Sequence, residues 1–472
     1  MRKKIDKKEY FDGFAHKWCD YRRRRAYYWN SITDYCRYFI HPTDSVLEVG
    51  CGAGDLVASV GGTGNVGIDF SPALIGQARQ RFPHVEFRVM EAEHITLDRK
   101  FDVIILSNLL GFLDDVEVVL EQLLPLCTPR TRIIVNYYNR LWEPLIRLAE
   151  SVGLKRRTPE QNWLSDSDVE NLLFLSGFDV YRRNGAMLLP LRIPLLSWLM
   201  NRIVAHLPLI GSLSLNRYIF ARPVPDEPDW QRRYSVTVVV PARNESGNIR
   251  TAVERIPDMG SHTEIIFVEG NSTDDTWQTI QAVRDEYAGR RDIRIMQQDG
   301  RGKGDAVRKA YAAASGDILM ILDADLTVPP EDLPKFYKAI ATGKGEFING
   351  VRLVYPMEDR AMRGLNIIGN HFFSRLFSWI LESPVKDTLC GTKVMFRRDY
   401  LKLAEGRKFF GDFDPFGDFD LLFGAFKLNL KIVDLPIRYR ERHYGTTNIS
   451  RFRHGLLLLK MSAFAASKIR FR

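Results

Sequence analysis

The chain has 472 residues, too many for one comfortable hydrophobic core, so two or three domains are expected. Its 45% hydrophobic and 26% charged residues describe an ordinary soluble globular protein, and its net charge of +9 favours an anionic partner: a nucleotide, a phospholipid surface, a phosphorylated acceptor or nucleic acid. Five cysteines show neither a CxxC pair nor a His/Cys ligand spacing, which argues against structural zinc and for reduced thiols in the cytoplasm.

The basic start, "MRKKIDKKEYFDGFAHK", lacks the apolar stretch of a signal peptide. The aromatic, basic run "FDGFAHKWCDYRRRRAYYW" reads as a cap over a site or simply as a covering helix. No RNA-binding module accompanies "YRRRR", so no nucleic acid partner is expected. Strands are then expected at Ser45–Val49, Asn65–Ile68, Val85–Val89, Asp102–Leu106 and Arg132–Val135, separated by amphipathic stretches, as in a parallel α/β sheet. In "VLEVGCGAGD", Gly50, Gly52 and Gly54 follow the first strand, where a tight turn and close approach to a ligand need residues without a Cβ. The second strand ends in Asp69-Phe70, the third in Glu91-Ala92-Glu93 and the fourth in Ser107-Asn108. Open α/β sheets bind ligands at such strand ends.

The apolar stretch Met187 to Leu213 carries three prolines, Arg192, Arg202 and His206, so it does not read as a membrane span, which needs about 20 apolar residues. It suits an interfacial helix with basic edges, or a piece of core; the C-terminal stretch "HGLLLLKMSAFAASKIRFR" reads the same two ways. Between Ala221 and Tyr234, prolines and charges replace periodicity and mark a boundary. The expected division is residues 1–222, a linker at 223–233, residues 234–450, and a basic amphipathic tail at 451–472.

Beyond the boundary, strands are expected at Ser235–Val240, Glu264–Val268, Ile293–Met296, Ile318–Leu322, Phe347–Gly350 and Lys431–Pro436. The first leads into Pro241-Ala242-Arg243-Asn244-Glu245. The second ends in Glu269, with Ser272 and Thr273 placed to cap the next helix. "MQQDGRGKGDAVR" sets Asp299 and Lys303 among glycines, where a lysine suits a phosphate. "GDILMILDADLTVPPEDL" then carries an apolar strand into Asp323 and Asp325, two carboxylates that can converge on one Mg2+ or Mn2+ bridged to a diphosphate. The structural alternative makes Asp323 a solvated strand end and Asp325 a neighbour of a helix cap.

Through "LEVGCGAGD … GIDFSP … EAEHI … FDVIILSNLL", residues from about Tyr10 to Leu175 resemble the class I S-adenosylmethionine-dependent methyltransferases. The resemblance implies a Rossmann-like doubly wound sheet that binds S-adenosylmethionine. Glu48, Gly50, Gly52 and Gly54 would surround the methionyl part, Asp69 would hold the ribose, Glu91 and Ala92 would lie near the adenine, and Phe70 and Ser107 would complete the cofactor site. That family more often has Asp at the position of Glu91. An NAD-binding reading is disfavoured by GCGAG in place of GxGxxG. Candidates near the methyl-acceptor mouth are His16, His94, Asn136, Tyr137 and Tyr138, each equally explicable as a structural or solvent-facing residue.

Through "VVVPARNE", "VEGNSTDDT", "GRGKGDAVR" and "LDADLTVPPEDL", Ser235 to about Ile449 resembles glycosyltransferase family 2, with the nucleotide-diphospho-sugar transferase (GT-A) fold. "INGVR", "DTLCGTKVMFRRDYL" and "RYRERHYGTTNISRFRHG" bring it nearest to polyprenyl- and dolichyl-phosphate sugar synthases. Two departures are Thr447-Asn448 in place of Ser-Lys, and Glu269-Gly270 where the synthases carry an Asp pair or Asp-Gly. By this resemblance a UDP- or GDP-sugar would meet Pro241, Ala242, Arg243, Glu245, Glu269, Asp299, Lys303, Asp323, Asp387 and Lys393. A divalent ion would sit on Asp323 and Asp325, and the sugar would invert on transfer. Asp418 would serve as base for a hydroxyl acceptor, with Asp420 as an alternative acid. Arg352, Arg363 and Arg442 would hold a phosphate acceptor. A bifunctional enzyme follows, acting on a lipid-phosphate or glycan acceptor with possible peripheral membrane contact at the inner face of the plasma membrane. The alternative is a polyprenyl-phosphate sugar synthase whose first half methylates something unrelated or only binds.

Overall fold

Short runs of β-branched and aliphatic residues build two sheets, one in each of two units, residues 1–224 and 225–470. The structure is a computed structural model that describes residues 6–207, 210–225, 229–352, 364–407, 417–440, 444 and 451–471.

In the first unit the strands are β1 (Val46–Val49), β2 (Val66–Asp69), β3 (Glu86–Val89), β4 (Phe101–Ser107), β5 (Cys127–Tyr138), β6 (Phe178–Ala186) and β7 (Asn216–Pro223). Their order is β3-β2-β1-β4-β5-β7-β6. β1 to β5 are parallel, whereas β7 runs antiparallel to both β5 and β6. The parallel sheet expected from the sequence is thus extended by two further strands, β6 and β7. They escape a pattern search because Arg182 and Arg222 are buried within them; the Arg182 guanidinium lies 5.0 Å from the Phe39 ring and 5.4 Å from that of Phe220. The residue at 223, where the linker was expected to start, is the last of β7, a strand end where proline is tolerated.

The helices are α1 (Lys7–Arg24), α2 (Ala26–Tyr38), α3 (Pro72–Arg81), α4 (Val116–Leu123), α5 (Glu143–Ser151), α6 (Asp166–Leu175) and α7 (Leu196–Arg202). Their starts are written locally. Ser71 accepts the Leu74 amide ahead of Pro72, and Ser165 with Asp168 forms a reciprocal capping box. The stretch 187–213 is no continuous interfacial helix. Among its described residues, Pro190 and Pro194 lie in a loop ahead of the seven-residue α7, and short 3-10 turns follow.

The second unit contains β8 (Val236–Ala242), β9 (Thr263–Glu269), β10 (Asp292–Gln297), β11 (Ile318–Ile321), β12 (Phe347–Val351), β13 (Lys393–Phe396) and β14 (Ile432–Pro436). The order is β10-β9-β8-β11-β13-β12-β14, with β13 antiparallel to its neighbours and the other pairings parallel. The strand β13 was missed because four residues beginning with lysine carry no periodicity. Helices are α8 (Ile249–Arg255), α9 (Thr276–Glu286), α10 (Lys303–Ala313), α11 (Leu333–Ala341), α12 (Gly364–Ile380), α13 (Arg397–Gly406), α14 (Asp418–Lys427) and α15 (Arg451–Ile469).

The helix α15 buries Leu458, Met461, Ala465 and Ile469 at helical spacing, and Arg470 donates to the Trp379 carbonyl of α12. The tail therefore places its apolar face in the second unit. No helix among the described residues is long and apolar enough to cross a membrane. Both units follow the fold class the motifs imply, a Rossmann-like methyltransferase sheet and then a GT-A fold. In each, the chain changes direction of winding beside the first strand, β1 or β8. The C-terminal edges of β1 and β4, and of β8 and β11, therefore flank a crevice that loops can line.

Candidate active sites

In the first unit the glycine turn after β1 holds Gly50, Gly52 and Gly54 at φ 74°, 54° and 80°. A Cβ on Gly54 would lie 2.5 Å from the Phe87 ring, so left-handed backbone and close packing both require glycine there. Two buried acids brace this turn. Asp69 accepts the Gly52 amide at 2.8 Å and the Ser71 amide at 3.0 Å, while Glu48 accepts the Val57 amide at 2.9 Å. Burial pushes Glu48 up to about 8 and Asp69 up to about 6, against the pull of those amides. A carboxylate has about four acceptor positions, so Asp69 retains capacity for two hydroxyl donors.

Of the remaining candidates, Phe70 packs edge-on to Phe11 of α1, and Glu91 and Ala92 form the turn after β3. Ser107 lies at the end of β4, 3.3 Å from the Asn136 side-chain oxygen. The acceptor-mouth residues separate. Asn136 is buried and donates to the Arg217 carbonyl, Tyr137 donates to Asp166 at 2.7 Å, and His16 and His94 are exposed. Tyr137 and Tyr138 both line a cleft, with Asn108 and Trp163.

Sequence reasoning missed Trp18. It projects from α1 to within 3.4 Å of the Cβ position of Gly52. Its buried indole N–H has no hydrogen-bond partner among the described residues. A buried donor beside a glycine turn fits a ligand that brings an acceptor, such as a carboxylate. The helix is fixed there by a Ser71–Asp12 hydrogen bond and by Phe11 against Phe112.

In the second unit, Pro241 and Ala242 end β8, and Ala242 lies in register with Glu269 of β9. Arg243 is exposed on the following loop. Glu245 is buried and accepts the Asn248 amide group at 2.7 Å. Glu269 is buried and accepts the Ser272 amide and, at 3.3 Å, Gln297. Ser272 and Thr273, expected to cap α9, instead bind Asn244, at its amide and its side chain respectively; Asp274 accepts the Thr276 amide at the helix start. Asp299 is exposed and paired with Lys309 at 2.7 Å.

One of the paired aspartates, Asp323, meets a lysine. Lys303, the first residue of α10, places its Nζ 2.6 Å from Asp323 and 4.0 Å from Asp418. Burial alone would lower the lysine pKa, but Asp323 and Asp418 outweigh it and hold it above the ordinary value. Burial likewise opposes ionisation of Asp323, and Lys303 overcomes that to hold it below the usual carboxylate range. Gly391 makes this packing possible, since a Cβ there would sit 2.0 Å from Asp323 and 2.3 Å from Lys303. Asp325 accepts the amide and hydroxyl of Thr327, at 3.1 and 2.8 Å.

Around this cluster, Arg352 is fixed by Asp387 through two bonds of 2.7 and 2.9 Å, and its guanidinium lies 5.2 Å from the Tyr439 ring centroid. Asp387 is fully buried and also accepts the amides of Arg352, Leu389 and Cys390. Lys393 is fully buried and donates to the Cys390 carbonyl. Both are thus shut off from solvent, Asp387 against Arg352 and Lys393 close enough to Asp323 to help hold that carboxylate ionised. Asp420 pairs with Arg407 at 2.8 Å. Arg363 and Arg442 lie outside the described residues.

Among the described residues no group of three or more His, Cys, Asp or Glu could hold a metal ion. Asp323 and Asp325 supply two oxygen-bearing side chains, which fits Mg2+ or Mn2+ completed by waters and a ligand's phosphates better than an all-protein cage. Two crevices built on such different chemistry, one a glycine turn braced by buried acids, the other a lysine among aspartates, belong to a two-domain transferase. Residues 21–183 match the family model described as a methyltransferase domain, and residues 237–403 that of glycosyl transferase family 2.

The dolichyl-phosphate hexose transferase of Haloferax volcanii is 31% identical over 48% of this chain and 91% of its own length. The dolichol-phosphate mannosyltransferase of Pyrococcus furiosus is 34% identical over 23% of this chain, which spans only 30% of that relative. Through its second half, the chain belongs to glycosyltransferase family 2; through its first it carries a methyltransferase domain. Solved structures similar to it include a Thermotoga maritima methyltransferase described as SAM-dependent (18% identical, 46% and 99% of the chains covered, TM-score 0.37). Another is Mycobacterium tuberculosis glucosyl-3-phosphoglycerate synthase bound to Mn2+ and UDP (21%, 50% and 80%, TM-score 0.37).

Proposed function

We propose that the second unit transfers a sugar, with inversion, from a UDP- or GDP-sugar to a lipid phosphate, and that the first transfers a methyl group from S-adenosylmethionine. The cluster of Lys303, Asp323 and Asp418, with Asp325 two residues on from Asp323, carries the first part of this reading. A divalent ion bound by Asp323 and Asp325 would neutralise charge on the departing diphosphate. Lys303, released from Asp323, becomes a second cation for the same phosphates. Arg352, pinned by Asp387, presents its guanidinium beside Tyr439 for an anionic acceptor, and Arg363 and Arg442 would add to it. A phosphate acceptor is already a nucleophile and needs no base. The relative named dolichyl-phosphate hexose transferase supports this acceptor class. The burial of Asp418 beside Lys303 supports a second reading, in which that carboxylate takes the proton of a glycan hydroxyl.

In the first unit Glu48, the glycine turn, Asp69 and Trp18 would seat the cofactor. Asp69 would orient ribose hydroxyls, and the indole N–H of Trp18 would meet an acidic group. The cofactor supplies an electrophilic methyl, and the chain's part is to align the acceptor in line with it. The setting would be the cytoplasmic face of the plasma membrane, with the products belonging to a cell-surface polysaccharide or glycolipid.

The test is transfer of labelled sugar from UDP- and GDP-sugars to polyprenyl phosphate, with a free glycan as the alternative acceptor. Label in the lipid that is lost with a chelator and in Asp325→Asn supports the reading. Label only in the glycan, abolished by Asp418→Asn, moves the assignment to the hydroxyl acceptor. Transfer indifferent to chelation contradicts the metal.

A further inference from the structure

We propose that the loop 188–199 with α7 seats the first unit on an anionic phospholipid surface. Within nine residues six large apolar side chains face solvent: Leu191 (60% exposed), Ile193 (42%), Leu195 (83%), Leu196 (45%), Trp198 (53%) and Leu199 (44%). Single exposed leucines are ordinary, whereas a contiguous group marks a contact surface.

The group is displayed by construction. Asn201 accepts the amides of Leu188 and Leu189, each at 2.8 Å, and donates to the Leu189 carbonyl and the Tyr27 hydroxyl. Ser197, only 3% exposed, accepts the Ile193 amide at 2.7 Å and donates to the Leu191 carbonyl. Two polar side chains thus bind the backbone from within, and the six large apolar side chains from Leu191 to Leu199 are left outside. Leu195, at the tip, is held at φ 62°, a backbone conformation that L side chains rarely adopt. Nothing in the local hydrogen bonding turns it inward.

Charge selects the occupant. From Met187 to Leu213 the chain contains no Asp or Glu, while Arg192 and Arg202 are exposed beside the leucines. Cations flanking leucines and a tryptophan match the boundary between acyl chains and anionic headgroups. Seven residues of α7 are far too few to span a bilayer, so the contact is interfacial. The apolar face of α15 is used inside the second unit, which leaves this loop as the larger display of the two basic, apolar stretches. The inference stands on the surface alone and does not depend on either transfer reaction.

The experiment is co-sedimentation of the full chain with vesicles of phosphatidylcholine containing one third phosphatidylglycerol, and with pure phosphatidylcholine. Leu195→Glu with Trp198→Glu should reduce partitioning into anionic vesicles at least tenfold, since both apolar side chains leave water on binding. Arg192→Gln and Arg202→Gln should each reduce it roughly fivefold there and leave pure phosphatidylcholine unchanged. Circular dichroism and S-adenosylmethionine titration confirm that each variant is folded, and Trp198→Gln serves if the double variant is not. Unchanged sedimentation of the folded variants overturns the proposal, as does a wild-type chain that ignores anionic vesicles. A concentration-dependent dimer that the same substitutions dissolve also overturns it, because a second copy then covers the loop.

Discussion

Asp387 offers the sharpest separation of a contact residue from a positioning one. Its carboxylate is fully buried and receives two guanidinium bonds and three backbone amides. Asp387→Asn keeps the shape and removes the charge, so Arg352, whose side chain is 11% exposed, is left as an uncompensated buried cation. Breaking such a pair costs about 3–5 kcal/mol. For a unit of this size that is about 6–20 °C in melting temperature, at about 2–4 °C per kcal/mol. Differential scanning calorimetry on the full chain should show the transition of the second unit falling by that amount while that of the first stays in place. Adding Arg352→Met should recover part of the loss, because the orphaned charge is gone. An unchanged transition together with lost nucleotide binding would refute the reasoning and return Asp387 to the donor site.

Three further outcomes follow from the same geometry. Lys303→Met frees Asp323 of its ammonium, so Mn2+ binding without nucleotide, followed by titration calorimetry, should tighten about tenfold (~1.4 kcal/mol), while nucleotide diphosphate binding weakens. Glu48 has a folded-state pKa of about 8 against 4.5, so the native state keeps a proton that the unfolded chain loses, and stability falls as pH rises between those values. Glu48→Gln should remove that contribution, raising the first transition of the ligand-free chain at pH 8 and leaving it nearly unchanged at pH 4.5; a variant that melts lower at pH 8 contradicts the assignment. Trp18→Phe deletes the orphan donor and should weaken S-adenosylmethionine binding by at least tenfold, as for a hydrogen bond to a charged group of about 1.5–3 kcal/mol, with stability held; equal affinity would place the cofactor away from that ring.

The parallel strands were legible because each is a short aliphatic run closed by a glycine or acid, as "VLEVGCG" and "LMILDAD" are. The antiparallel β6, β7 and β13 were not, since "VYRRNGA" buries Arg182 on aromatic faces, "NRYIFARP" buries Arg222 beside Asp179, and "KVMF" is too brief to show alternation. At the sites, the residue types could be read but not their partners. Lysine among glycines raised the expectation of a phosphate contact, while its salt bridge to Asp323 depends on the close approach at Gly391, far from Asp323 in sequence. Asp387 and Lys393 carry charge that a sequence reader places on the surface; only the fold shows both shut inside. Trp18 looked like one aromatic among many in a basic leader, and its meaning lies in facing Gly52 with an unmatched donor.

The central claim, two independent donor sites on one chain, is tested most directly by paired equilibrium titrations. Wild type, Asp69→Asn and Asp325→Asn would each be titrated with S-adenosylmethionine and with UDP- and GDP-sugars in the presence of Mn2+. The account predicts that wild type binds both classes, that Asp69→Asn loses only the first, and that Asp325→Asn loses only the second. Sugar-nucleotide binding that survives both Asp325→Asn and removal of Mn2+, or S-adenosylmethionine binding indifferent to Asp69→Asn, would contradict it.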